Sequence, residues 1–303
     1  MSFRLEMLQV ARLAPGLLGD DAVSLVESFI RTHQTPEGAF GDREGRADLY
    51  YTVFGLEGLL ALRREPDWPA LTAWLRGFGG GESLDFVHLC CLARCWSAVP
   101  AGHDRKPGTE TLDAATAAAI QNRLSAWRTP DGGFNQRGGA STCTAYGCLL
   151  GWAAHFDLKA ELPAADRLYD CLQSLRTPDG GYANEPGLPF GSTPATAAAV
   201  SLHRHLQRTP DAATGQWLLA QRHPAGGFKA MPAAPLPDLL STAVALHALD
   251  GMQVSFAPWK EPLLDFIDTL WSAEGGFHGH WADDALDVEY TYYGLLALGH
   301  LAL

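Results

Sequence analysis

The stretch from Arg128 to Trp152 reads RTPDGGFNQRGGASTCTAYGCLLGW, and a close copy from Arg176 to Leu202 reads RTPDGGYANEPGLPFGSTPATAAAVSL. In both copies a Pro-Asp-Gly-Gly turn is followed by a loop and then by a run of small, mostly apolar residues. Proline resists continuing a helix, and glycine supplies the positive φ of a helix C-terminal turn. The stretch therefore predicts that one helix ends, the chain turns, and a second helix begins.

The same turn recurs along the chain, at Gly38, Gly132, Gly180, Gly226 and Gly275. From Gly132 onward the spacing is about 48 residues, and the first gap is close to twice that. A degenerate copy is therefore expected near residue 85, where the chain reads GFGGGESLDFVHLCCLARCW. Six such units account for almost the whole sequence.

Each unit contains two helices of different character. Ala164–Arg176 has apolar residues at helical spacing with polar residues between them, whereas Ser192–Leu206 is apolar on nearly all sides. The first pattern is typical of an outer helix and the second of a helix enclosed by others. No segment shows sustained alternation with period two, so strands are expected to be few or absent. We predict an all-α fold, an α6–α6 toroid of six helical-hairpin repeats, forming a single domain over residues 1–303.

Composition narrows the function classes. Of the 303 residues, 47% are hydrophobic and 18% charged, and the net charge is −12. Such a charge argues against a nucleic-acid partner, which usually meets a basic surface. No apolar run reaches the ~20 residues of a membrane span, and the N-terminus lacks the pattern of a signal peptide. We expect a cytoplasmic protein whose six cysteines are buried free thiols.

The sequence resembles the prenyltransferase/squalene-cyclase repeat superfamily. The resemblance lies in the Gly-Gly-aromatic turns and in two further stretches, DLYYTVFGLEGLLAL (48–62) and DVEYTYYGLLALGHL (287–301). The resemblance covers all six repeats and is strongest to protein prenyltransferase β subunits of the Rab geranylgeranyl type. It implies a central cavity for an isoprenoid (diphosphate) or similar apolar ligand. It also implies a helical-repeat partner like the α subunit of those enzymes, with a homodimer as the alternative.

The β-subunit family holds zinc with an Asp-x-Cys pair and a histidine. Here Asp238 matches the aspartate, but Leu240 and Tyr290 stand at the cysteine and histidine positions. We therefore expect no cofactor. The alternative is a rewritten site, in which His278 and His280 of GGFHGHWADDALD bind zinc or magnesium. Where the family clamps the lipid diphosphate, the sequence GGFKAMPAAPLPD offers one cation, Lys229.

A second branch of the superfamily, the class II terpene cyclases, protonates an alkene with the central aspartate of an Asp-x-Asp-Asp motif. LDVEYT (286–291) imitates it in part, with Asp287 and Glu289 at the first and third positions and Tyr290 at the fourth. Asp287 and Asp238 are the candidate acids. Asp48, Asp85, Asp238 and Asp287 all begin inner helices, where aspartates also serve as N-caps. If the inner helices are parallel, these four aspartates form a ring around one mouth of the cavity.

Aromatic residues cluster near the same helix starts. Some must face the cavity, where they would suit an isoprenoid chain or a carbocation; others serve packing between helices. The candidate ligand-binding residues, with Lys229, are Tyr50, Tyr51, Phe86, Tyr146, Tyr290 and Tyr293. Three functions stay open: a divergent prenyltransferase, a class II cyclase-like enzyme, and a non-catalytic ligand-binding or scaffolding toroid.

Overall fold

The computed structural model describes residues 2–100 and 106–303. These residues form fourteen α-helices, two short antiparallel ribbons and a 3-10 turn at Ala257–Trp259. The first ribbon pairs β1 (Phe40–Gly41) with β2 (Ala47–Asp48), and the second pairs β3 (Phe228–Lys229) with β4 (Pro237–Asp238). The helices are α1 (Phe3–Ala11), α2 (Pro15–Leu18), α3 (Asp20–Thr32), α4 (Leu49–Ala61), α5 (Trp68–Arg76), α6 (Phe86–Ala98), α7 (Ala114–Ser125), α8 (Ala145–Asp157), α9 (Ala165–Gln173), α10 (Thr193–His205), α11 (Ala212–Ala220), α12 (Leu239–Gly251), α13 (Lys260–Asp268) and α14 (Val288–Leu301).

Six helices form a closed inner ring. In chain order α4, α6, α8, α10, α12 and α14 each pack on the next, and α14 returns to pack on α4. The helices α3, α5, α7, α9, α11 and α13 alternate with them and pack on the outside of the ring. The predicted all-α toroid of six helical hairpins is confirmed.

The repeated turn is tied to the inner helix that follows it. The backbone N–H of Phe40 donates to Thr52 Oγ1 at 2.9 Å, and the same bond recurs from Tyr182, Phe228 and Phe277 to Thr196, Thr242 and Thr291. The aromatic side chain of the turn thereby lies under its own inner helix, where it is fully buried. Gly132 has a φ of +107° in its turn, a conformation that residues with a Cβ rarely adopt.

The inner helices all begin at the same end of the ring, which we call the mouth. Their N-cap side chains accept a backbone N–H of the first turn, and these caps are Asp48, Asp85, Thr144, Ser192, Asp238 and Asp287. Adjacent starts are linked, because Ala145 N–H donates to Asn184 O and Leu239 N–H donates to Gly279 O. The prediction that the aspartates cap inner helices is confirmed.

The opposite end of the ring is covered by α1. Arg4 forms an ion pair with Glu57 of α4 at 2.6 Å, and Glu6 accepts a hydrogen bond from Arg204 of α10 at 2.7 Å. Close packing completes the contact, since a Cβ on Gly299 of α14 would lie 2.2 Å from the carbonyl oxygen of Val10. The interior is thus closed at one end and approached from the mouth. No helix among the described residues is long and apolar enough to cross a membrane.

Candidate functional site

The ring encloses a cavity of about 530 Å³, within the usual size range of a small-molecule site. Its wall is largely apolar and draws on every inner helix and on Phe3 and Met7 of α1. The aromatic residues of the wall are Phe3, Tyr50, Phe54, Tyr146, Tyr292 and Tyr293. Four polar residues interrupt it: Arg94, Asp157, Asn184 and Ser192.

At the mouth, Glu289 and Tyr50 form a hydrogen bond across two neighbouring inner helices. Each is the second residue of its helix, α14 and α4, so the closure of the ring brings them together. The Tyr50 hydroxyl donates to Glu289 Oε1 at 2.6 Å. Burial raises the pKa of Glu289 to about 7; the hydrogen bond from Tyr50 opposes the rise, and the nearby Asp287 charge adds to it. A carboxyl group with this pKa is poised to donate a proton near neutral pH.

Asp287, one of the candidate acids from the sequence, is occupied by structural contacts. Its Oδ1 caps α14 by accepting the Tyr290 N–H, and its Oδ2 accepts a hydrogen bond from Arg43 Nε at 2.9 Å. The Arg43 guanidinium also reaches Asp283 at 3.4 Å. Asp287 is therefore a buried, ion-paired carboxylate that fixes the start of α14.

Asp238, the other candidate acid, accepts the Ser241 N–H at 2.7 Å as the cap of α12. Burial raises its pKa, and that cap bond opposes the rise. The raised pKa keeps Asp238 a candidate. Neither Asp238 nor Glu289 is itself part of the described cavity wall, but Glu289 accepts a hydrogen bond from the wall residue Tyr50, and Asp238 has no such bond among the described contacts.

Two further acidic side chains at the mouth, Asp48 and Asp85, share one histidine, His88. His88 Nε2 lies 3.1 Å from Asp48, and His88 Nδ1 lies 2.9 Å from Asp85. The hydrogen bond with Asp48, helped by that with Asp85, raises the pKa of His88 to about 9 against the cost of burial. Near neutral pH the three side chains therefore form an ion-paired bridge between α4 and α6.

The residues at the family's zinc positions do not fit a zinc ion. Asp238 offers carboxylate oxygens, but Leu240 is part of the apolar cavity wall and has no donor atom. Tyr290 supplies only a phenol, whose pKa burial raises to about 12, whereas zinc prefers thiolate, imidazole and carboxylate ligands.

The alternative metal-binding pair, His278 and His280, contacts backbone groups of its own loop. His278 Nδ1 lies 3.3 Å from Ala285 O, and His280 Nδ1 accepts the Ala282 N–H at 3.1 Å. Within the described part of the chain, the one group of three metal-ligating side chains is Cys143, Cys148 and Cys171. It is fully buried against the turn at Gly133, away from the cavity wall.

The remaining predicted ligand-binding residues divide into three groups. Tyr50, Tyr146 and Tyr293 belong to the cavity wall. Tyr51 and Tyr290 are half-buried at the mouth, outside that wall. Two residues lie elsewhere: Phe86 is fully buried against Trp127 and Phe134, and the ammonium group of Lys229 donates to Pro232 O at 2.9 Å.

Three polar residues of the site were not among the predicted ones. Glu289 had a usable signal, because it stands third in a sequence resembling the Asp-x-Asp-Asp motif. Arg94 also had one, since it is the single strong cation in the apolar helix FVHLCCLARCWSA. Asp157 is the last residue of α8, and nothing in the sequence distinguishes it from an ordinary solvated helix end.

Comparison with known proteins places this geometry in a family. A model of the prenyltransferase α–α toroid domain matches residues 20–88, 73–220 and 195–302. Drimenyl diphosphate synthase from Streptantibioticus cattleyicolor is 30% identical over an alignment of 213 residues, and the match covers 65% of this chain and 37% of that enzyme. The chain thus corresponds to little more than a third of that relative's length.

Solved structures with the same fold include the type II terpene cyclase MstE from Scytonema, with a TM-score of 0.59 and 14% identity over 97% of this chain and 98% of that one. An MstE variant bound to its substrate geranylgeranyl dihydroxybenzoate gives a TM-score of 0.59 at 13% identity, covering 97% of both chains. An α-1,6-mannanase from Salegentibacter reaches 0.62 at 12% identity over 93% and 98%. At these identities the likeness shows the fold alone. Together with the match of the family model along nearly the whole chain, the closed ring of six hairpins establishes that the chain belongs to the prenyltransferase α–α toroid domain family.

Proposed function

We propose that the chain binds an isoprenoid in its central cavity and cyclises it by protonation, with Glu289 as the proton donor. The Tyr50–Glu289 pair carries this proposal. It combines a carboxyl group whose pKa burial raises to about 7 with a hydrogen-bond donor that belongs to the cavity wall. The 30% identity to a drimenyl diphosphate synthase agrees with an isoprenoid ligand.

The proposed first step needs no metal or second reactant. The O–H bond of Glu289 breaks as a C–H bond forms at the end of the isoprenoid, which leaves a carbocation for the next double bond to attack. The hydroxyl of Tyr50 then stabilises the new carboxylate by donating to it. The cyclised cation then loses a proton to solvent water, which leaves a neutral product, and the Glu289 carboxylate takes up a proton from solvent, so atoms and charge balance over the cycle.

The aromatic wall suits the intermediate. Tyr50, Phe54 and Tyr293 lie next to one another, with ring centroids 5.0 Å apart for Tyr50 and Phe54 and 5.5 Å apart for Phe54 and Tyr293. Aromatic faces attract a cation by ~0.5–2 kcal/mol each and do not trap it as a nucleophile would. The wall thereby favours the carbocation and keeps water from it.

Isosteric variants of the three acidic candidates test the proposal. The purified protein is incubated with farnesol, farnesyl diphosphate and geranylgeranyl diphosphate, and products are identified by gas chromatography and mass spectrometry after dephosphorylation. We expect Glu289→Gln to abolish cyclic product while retaining ligand binding by native mass spectrometry. Asp238→Asn and Asp287→Asn are the controls, the first for a buried carboxyl group with no described hydrogen bond to a wall residue and the second for one that is paired with Arg43. Unchanged turnover in Glu289→Gln would refute the role of Glu289, and ligand retained unchanged by the wild type would favour a binding protein.

A further inference from the structure

The deep end of the cavity, next to α1, contains a guanidinium group without a partner. Arg94 lies on α6 and is part of the cavity wall, near the ring of Phe3 at 5.8 Å. Its side chain makes no salt bridge or hydrogen bond with any residue that the structure describes, and its Nε is buried without a partner. Burying an unpaired charge in an apolar site is costly, so such a group is usually found where a ligand supplies the partner.

Two further polar groups of the wall have atoms without partners. Asp157 Oδ2 and the Tyr292 hydroxyl are both buried without a hydrogen bond to any described residue, and both residues belong to the cavity wall. Burial raises the pKa of Asp157 to about 6, and the positive charge of Arg94 and a hydrogen bond with Ser97 oppose that rise. A donor, an acceptor and a hydroxyl group therefore line the same apolar cavity, and the charges of Asp157 and Tyr292 act on Arg94.

The charges around Arg94 determine which chemical group of a ligand fits beside it. Glu57, whose charge acts most strongly on Arg94, already forms an ion pair with Arg4 at 2.6 Å, and Asp157 supplies the next negative charge near Arg94. Arg94 is the one cation of the described cavity wall, and it makes no direct ion pair with either acid among the described contacts. A diphosphate would bring several negative charges to a single guanidinium next to a carboxylate. A hydroxyl or carboxylic acid group instead can accept from Arg94 and donate to Asp157.

The mouth does not suit a diphosphate either. It is ringed by Asp48, Asp85, Asp238, Asp287 and Glu289. Arg43 is paired with Asp287, and His88 is paired with Asp48. Lys229, on the ribbon before α12, is the described cation here outside an ion pair, and its ammonium group donates to Pro232 O. One such cation does not match the several negative charges of a diphosphate.

The spacing of the two ends matches a chain molecule. Glu289 is the second residue of α14 and Arg94 the ninth of α6, and both helices start at the mouth. At 1.5 Å per residue, the two side chains differ in depth by about 10 Å. A ligand with several isoprene units spans this depth, with its oxygen-bearing end below and its terminal double bond near Glu289.

We infer that Arg94, Asp157 and Tyr292 bind the oxygen-bearing end of the ligand, and that the substrate class is isoprenoid alcohols or carboxylic acids rather than isoprenoid diphosphates. The identity of the ligand as an isoprenoid rests on the function proposed above. The head-group site itself follows from the three unpartnered groups in the cavity wall.

Binding of four probes separates the two proposals. Farnesol, farnesoic acid, farnesyl diphosphate and the hydrocarbon farnesene are titrated into the wild type, Arg94→Met, Arg94→Lys, Asp157→Asn and the control Arg208→Met, with each variant checked by circular dichroism. Arg208 is an exposed arginine outside the cavity wall, paired with Asp166. We expect farnesol or farnesoic acid to bind roughly tenfold or more tightly than farnesene, as a hydrogen bond to a charged group allows. Arg94→Met should remove that preference and leave farnesene binding unchanged, Asp157→Asn should weaken the preference, and Arg94→Lys and Arg208→Met should retain most of it.

Preferential binding of the diphosphate, equal binding of alcohol and hydrocarbon by the wild type, or no binding of any probe would overturn the inference. These outcomes are measured on the wild type alone. The inference about the head-group site can therefore be overturned even if a variant fails to fold. The function proposed for Glu289 fails separately. If Glu289→Gln still cyclises a ligand while the wild type keeps its head-group preference, the acid is wrong and the head-group site stands.

Discussion

Replacing Tyr50 by phenylalanine isolates the hydrogen bond that sets the strength of the proposed acid. The hydroxyl lies 2.6 Å from Glu289 Oε1 and lowers the pKa of that carboxyl group against the effect of burial. A hydrogen bond to a charged group is worth ~1.5–3 kcal/mol, which corresponds to about one to two pKa units. Tyr50→Phe should therefore raise the pKa of Glu289 from about 7 to roughly 8–9.

The pH dependence of cyclisation measures this shift. Because the acid must be protonated to react, the rate is highest below the pKa of Glu289 and falls about tenfold per pH unit above it. In Tyr50→Phe the falling limb should move to higher pH, and the maximal rate should drop by roughly tenfold because the carboxylate formed in the reaction loses its donor. Tyr51→Phe is the control, since Tyr51 has no hydrogen bond to Glu289 among the described contacts. A falling limb at the same pH in Tyr50→Phe as in the wild type would refute the reasoning.

Three further predictions concern the ring that positions the site. Gly151→Ala should destabilise the fold by ~1–3 kcal/mol in denaturant unfolding, because its Cβ would lie 2.5 Å from the Phe134 ring; Gly16→Ala, with nothing within 4 Å, is the control and should be nearly neutral. Arg4→Met should cost ~3–5 kcal/mol by removing the ion-pair partner of the buried Glu57, and the double variant Arg4→Met/Glu57→Leu should recover much of that loss; equal losses in the two variants would contradict this, because the loss would then not come from Glu57 left without Arg4. The pKa of His88, raised to about 9, predicts a stabilisation that is complete below the unfolded pKa near 6.5 and is lost as pH rises through 9. His88→Gln should abolish that loss, and identical pH profiles of melting temperature would contradict it.

The sequence predicted the fold well because the information is local and repeated. Each Pro-Asp-Gly-Gly turn ends one helix, each capping residue starts the next, and six copies of a pair with one enclosed helix close into a ring. The degenerate second unit was located from the spacing alone, and Asp85 caps α6 as expected there.

The site was harder to predict because its chemistry depends on contacts between distant residues. Asp287 was a candidate proton donor from its sequence motif. In the structure Arg43, 244 residues earlier in the chain, donates a hydrogen bond to its carboxyl group. Glu289 gains its raised pKa from burial where α14 meets α4, which the motif alone does not reveal. Phe86 was predicted to bind the ligand, but it packs against Trp127 and Phe134 outside the described cavity wall. An inner helix that is apolar on all sides does not indicate which side faces the cavity.

Carrying out the reaction in D₂O tests the central claim most directly. Protonation by Glu289, whose carboxyl proton exchanges with solvent, predicts a cyclic product that carries one deuterium from solvent at the former terminal double bond. Glu289→Gln should yield no such product. A cyclic product without deuterium, or a labelled product made equally well by Glu289→Gln, would contradict the account.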